Sequence, residues 1–102
     1  MKYVLIERYN PEDDDPIQVF AELGEDRREV RRLEFYSHGI SFSYGRERGR
    51  DEALNLEPYP EDLSSLVEGQ DAEAKEISAA TFDAAWAQSG ELPDGFLGIM
   101  GL

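Results

Sequence analysis

The sequence predicts an α+β domain: a four-stranded antiparallel meander with one C-terminal helix packed on a face, plus a short helical turn near residues 61–67. Three observations carry this. Segments near 2–9, 17–23, 28–36 and 40–45 alternate their side chains and are rich in β-branched and aromatic residues. The stretches between them are short and built from Gly, Pro, Asp and Ser, which suits hairpins and leaves no room for parallel crossovers. Further on, Phe82, Ala85 and Trp86 recur at helical spacing behind Ser78, a good N-cap residue.

In chain order, Lys2 to Tyr9 sets Val4 and Ile6 against Tyr3, Leu5 and Tyr9 and reads as the first strand. Asn10 to Pro16 has a proline near each end of its four acids and reads as a solvated turn. Ile17 to Leu23 alternates again and ends at Gly24. The third segment, RREVRRLEFY from Arg27 to Tyr36, places Leu33 and Phe35 on one face but carries charge on both faces of its first half. This pattern predicts a hairpin arm whose Arg-rich end projects beyond the packed layer. In the fourth, Ile40, Phe42 and Tyr44 alternate with Ser41 and Ser43, so the serine face is expected to meet solvent. Gly45 to Glu52 reads as a mobile loop, Gly69 to Glu73 as a polar connector, and Ala79 to Gln88 as the helix that covers one face of the sheet.

The 102 residues suit one domain, read as 1–90, followed by an apolar tail at 91–102 in which Phe96, Leu97, Ile99, Met100 and Leu102 are interrupted by glycines. So apolar a tail is expected to dock, on the sheet or on a second copy of the chain in a homodimer. Cysteine is absent, which excludes disulfides and thiolate metal sites. The N-terminus MKYVLIERYN has only Val4, Leu5 and Ile6 as an apolar run, so it reads neither as a signal peptide nor as a membrane span, and the expected location is the cytoplasm.

The net charge of −13 opposes nucleic-acid binding and favours a basic partner. Residues 1–50 hold eleven acids against nine bases, whereas residues 51–102 hold twelve acids and Lys75 alone. Nothing in the chain reads as a catalytic or cofactor site. His38 is the only histidine and sits in a turn. The run Glu12 to Asp15 lacks the alternating acids, central glycine and closing glutamate of a calcium loop. No phosphate-binding glycine loop, HExxH or G-x-S-x-G is present, and with 23 acids no carboxylate pair stands out. The candidate partner-binding residues are Arg27, Arg28, Arg31 and Arg32, the acidic turn Asp13, Asp14 and Asp15, and Phe96 and Ile99 of the tail.

DPIQVFAELGEDRREVRRLEFYSHG at Asp15 to Gly39, with EISAATFDAAW at Glu76 to Trp86, resembles a small bacterial domain family of unknown function. The resemblance rests on the Asp-Pro turn, the Glu-Val-Arg-Arg-Leu-Glu strand and the closing Glu-Ile-Ser helix with its tryptophan. It runs from Lys2 to Trp86, excludes the tail, and brings no catalytic residue with it. The functional expectation is a non-enzymatic immunity or inhibitor-type protein binding a basic partner such as a toxin domain. The alternative is a regulatory or accessory module that acts through a strand edge or by self-association.

Overall fold

A computed structural model describes residues 1–12, 14–37, 39–45 and 54–89. Five strands form one sheet: β1 (Lys2–Arg8), β2 (Gln18–Leu23), β3 (Glu29–Phe35), β4 (Ser41–Tyr44) and β5 (Ala72–Ile77). Their order is β4-β3-β2-β1-β5, and every neighbouring pair is antiparallel. The first four make the expected meander. The fifth corrects the expectation of four: Ala72–Ile77, whose first two residues end the stretch read as a polar connector at Gly69 to Glu73, pairs along the free side of β1.

Alternation divides the apolar residues between the two faces. Val4, Ile6, Val19, Ala21 and Leu23 point to one side, where Tyr59, Val67 and the half-buried Leu63 and Leu66 cover them. The cover is a 3₁₀ turn at Leu63–Val67, close to the helical turn expected at 61–67, with Asp62 accepting from the Ser64 amide at its start. Past that turn, Glu68 (φ −58°, ψ 130°) and Gly69 (φ 78°) build a type II turn closed by Gln70 N–H on Val67 C=O at 2.9 Å. The positive φ is what calls for glycine there.

Leu5, Phe20 and Leu33 point to the other side, against helix α1 (Ala79–Gln88). Ser78 caps α1 by accepting from the Thr81 amide at 3.1 Å, and Phe82 is fully buried where the helix meets the sheet. Tyr3, Phe35, Ile77, Ala85 and Trp86 close the rim of this second core.

Two further expectations are corrected. The Arg-rich end of the third strand does not project into solvent: Glu29 is buried, and the Arg31 and Arg32 side chains are only 19% and 17% exposed. The faces of β4 are also the reverse of the expected ones. Ser43 pairs beside Leu33 on the helix side and is 5% exposed, whereas Phe42 faces away from the helix and is exposed. The 3₁₀ turn packs on β1, β2 and β5 rather than on β4, so the face that carries Phe42 and Tyr44 is the less covered one.

Candidate partner-binding surface

The charged side chains sort themselves by sign. Arg27 lies in the turn between β2 and β3 with φ 66°, a left-handed conformation that is costly for a residue with a Cβ. Its guanidinium repays that by donating to Tyr59 C=O at 2.8 Å and Pro60 C=O at 2.6 Å, while its own carbonyl accepts from Tyr59 N–H at 2.8 Å. The turn thereby anchors the segment that leads into the 3₁₀ turn.

Arg31 sits on the helix side. Its guanidinium stacks 4.7 Å from the ring centroids of both Phe82 and Trp86, pairs with Glu22 at 2.5 Å and reaches Asp83 at 3.5 Å. Tyr3 donates its hydroxyl to the second oxygen of Glu22 at 3.1 Å. Cross-strand pairing of Glu22 with Arg31 sets the two charges side by side, so the ion pair follows from the register.

Arg32 sits on the opposite face, across from the small Ala21. It pairs with Glu29 at 2.9 Å and Glu34 at 3.2 Å and lies 4.5 Å from the Tyr44 ring centroid. Burial works against its charge, but Glu29 and Glu34 outweigh it and hold the group above its ordinary pKa. Glu29 also accepts from the Tyr59 hydroxyl and from the Asn55 amide, and Glu34 accepts from the hydroxyls of Tyr36 and Tyr44. Glu29 reaches this face because β3 bulges at Val30: Glu22 pairs with Arg31, but Leu23 pairs with Glu29.

These contacts shift the phenols. Burial, then the hydroxyl bond to Glu34, pushes Tyr36 from 10.0 up to about 12, and burial together with Glu29 raises Tyr59 as well. A phenol with a higher pKa folded than unfolded stabilises the fold fully below the unfolded value and loses that contribution as pH rises through the folded one. Stability is therefore expected to decline from about pH 10 upward, with phenolate absorbance rising together with the loss of tertiary circular dichroism. Full ionisation of the tyrosines in a protein that keeps its fold would contradict this.

With Arg8, Arg27, Arg31 and Arg32 half-buried, the exposed cations among the described residues are Lys2, Arg28 and Lys75. Each lies within ion-pair range of a carboxylate: Lys2 with Glu76 at 3.4 Å, Arg28 with Asp26 at 3.3 Å and Lys75 with Glu7 at 3.8 Å. Apart from the buried Glu22 and Glu29 and the half-buried Glu7 and Glu34, the described acids stay outside: Asp14 and Asp15, Glu61 and Asp62, Glu68, Asp71, Glu73 and Glu76 are all exposed. Of the residues singled out in the sequence, Arg28, Asp14 and Asp15 are thus at the surface, whereas Arg27, Arg31 and Arg32 hold the fold together. The structure does not gather them into one site. Asp13, Phe96 and Ile99, like the rest of the 91–102 tail, lie outside the described residues, as do His38 and most of the loop expected at 45–52.

The residues that sequence reading missed are the carboxylates along β5, Glu73 and Glu76, with Glu61, Glu68 and Asp71 close by in the chain. The available signal was the short alternation of Ala72 and Ala74 with Glu73 and Lys75, which breaks at Glu76 and Ile77. Glu61 and Glu76, with Lys2, Val4, Arg27 and Leu63, line an open depression of about 330 Å³ at the Glu76 end of that strand. Among the described residues no group of three or more His, Cys, Asp or Glu is placed to hold a metal ion, and no helix is long and apolar enough to cross a membrane.

A protein-family model described as "Domain of unknown function (DUF6881)" matches residues 2–91. No curated protein and no solved structure matches the chain.

Proposed function

The chain belongs to this family of unknown function, and we propose that it is a non-enzymatic binding protein, of inhibitor or immunity type, that holds a basic protein partner in the bacterial cytoplasm. The observation that carries this reading is the segregation of charge. Among the described residues, three arginines are spent on Tyr59 and Pro60 carbonyls or on Glu22, Glu29 and Glu34, and the exposed cations Lys2, Arg28 and Lys75 each stand beside an acid. The surface that the described residues present is thus more uniformly acidic than their composition alone implies, and such a surface steers cationic proteins toward it.

The test is kinetic. A partner captured on the immobilised protein at both low and high salt is purified, and its association is followed by stopped flow. The association rate is expected to fall several-fold between roughly 50 and 200 mM salt, because exposed charges are screened over about 10 Å at 0.1 M. Dissociation is expected to change much less. An association rate indifferent to salt would count against the reading, as would a partner of acidic pI.

A further inference from the structure

We infer that the outer edge of β5 is the docking strand for the partner, and that it takes up an extended, cationic segment by adding it as a sixth strand to the sheet; this rests on the basic-partner reading above. β5 ends the sheet beyond β1, and its six residues pair with β1 in unbroken register from Arg8 with Ala72 to Tyr3 with Ile77. Tyr9 N–H donates to Asp71 C=O at 2.9 Å. Antiparallel pairs alternate between hydrogen-bonded and non-hydrogen-bonded, so Asp71, Glu73, Lys75 and Ile77 turn their backbone groups toward β1. Ala72, Ala74 and Glu76 turn theirs outward, and no backbone hydrogen bond among the described residues takes them up.

Sheet edges are normally blunted by shortness, proline, a bulge or a covering element. The opposite edge, β4, has four residues. β5 has six, with no proline and no bulge. Among the described residues, what guards it is charge. Glu73 and Glu76 lie on the strand, Glu68 and Asp71 just before it, and all are exposed, while Lys75 is held near Glu7. A second copy would bring the same excess of acid and a net charge of −13 to the contact, which disfavours self-pairing. A lysine- or arginine-bearing strand meets the opposite situation. Its backbone pairs with Ala72, Ala74 and Glu76, and a basic side chain opposite Glu76 is placed beside the depression that Glu61 and Glu76 line with Lys2 and Arg27, the latter already committed to the Tyr59 and Pro60 carbonyls. Lys2, which reaches Glu76 from the surface at 3.4 Å, is an exposed pair that is displaced at little cost.

The probe is a synthetic peptide alternating lysine and valine over about eight residues, long enough for one strand, titrated into the full chain at low salt with amide hydrogen exchange read residue by residue. In the free protein the amides of Glu73, Lys75 and Ile77 are expected to be protected and those of Ala72, Ala74 and Glu76 to exchange fast; saturating peptide slows the second set. Ala74→Pro removes an outward N–H without breaking a bond to β1 and leaves the charge unchanged, so it is expected to weaken the peptide by about tenfold or more. Should that variant fail to fold, the paired exchange of Glu73→Lys and Glu76→Lys, both at exposed side chains, is expected to abolish binding with the melt little changed. Peptide binding that leaves the three amides fast and is unaffected by Ala74→Pro overturns the edge as the docking strand while the basic-partner reading stands. Failure of the peptide to bind wild type overturns the inference, and the salt dependence with the purified partner then decides the broader reading by itself. Slowing of the same amides with protein concentration alone, without peptide, means self-pairing and overturns the commitment to a cationic strand.

Discussion

Phe82→Ala is expected to lower stability by about 3 to 5 kcal/mol, the usual cost of deleting a buried aromatic ring. The Phe82 side chain has no exposed surface, lies 5.3 Å from the Tyr3 ring and 6.0 Å from that of Trp86, and supports the Arg31 guanidinium at 4.7 Å. It is the point at which the ten-residue helix α1 is fixed to Leu5, Phe20 and Leu33. Total stability for a domain of this size is roughly 5 to 15 kcal/mol, so the loss would be a large part of the whole. Trp86 is only half-buried and sits on the rim of the same core, so Trp86→Ala is expected to cost clearly less than Phe82→Ala. Urea melts of both variants check the order. Equal midpoints for the two variants would contradict the stated order, and a Phe82→Ala midpoint matching wild type would remove α1 from the role assigned to it.

The helix was legible because two independent signals agreed: a hydroxyl at Ser78 for the cap and Phe82, Ala85 and Trp86 on one stripe. The first four strands were legible for a similar reason, their alternation coinciding with β-branched and aromatic residues. β5 was not, because it packs alanine. Ala72 and Ala74 fill the narrow space under Leu63 and Leu66, a place where a larger residue is not needed, and a strand of Ala, Glu and Lys carries no propensity signal. β4 was read with its faces exchanged, since Phe42 and Tyr44 are the more apolar side chains, whereas burial was decided by which face the neighbouring elements cover.

The arginines failed for a different reason. Charge on both faces of a strand looks solvated when the strand is read alone; Glu22 on β2, and Glu29 and Glu34 on β3 itself, supply the counter-charges only once register and the bulge at Val30 are known. This bears on how the candidate surface is probed. Substituting Arg31 or Arg32 would strand Glu22 or Glu29 in a half-dry environment, so a loss of binding in those variants would report damage to the fold. Charge changes at exposed Glu73, Glu76 and Arg28 leave the core alone and report on the surface itself.

Glu29→Ala is the second substitution expected to have a large effect, again about 3 to 5 kcal/mol, by a mechanism unrelated to apolar packing. The Glu29 side chain is 2% exposed and accepts from Arg32 at 2.9 Å, from the Asn55 amide at 2.7 Å and from the Tyr59 hydroxyl. Removing it leaves Arg32 half-buried with Glu34 as its remaining carboxylate among these contacts, and deprives a buried phenol and a backbone amide of their acceptor at once. The damage should be concentrated in the segment from Asn55 to Pro60, which is held to the sheet by Glu29 and by the Arg27 contacts to Tyr59 and Pro60. Faster exchange of the Tyr59 amide, which donates to Arg27 C=O, is the local readout that accompanies the fall in melting midpoint. A double-mutant cycle separates the pair from its burial. If Glu29→Leu combined with Arg32→Met recovers much of what Glu29→Leu alone loses, the cost lay in stranding one charge; if the two losses simply add, the two side chains act independently and the ion pair is not what holds this corner of the sheet.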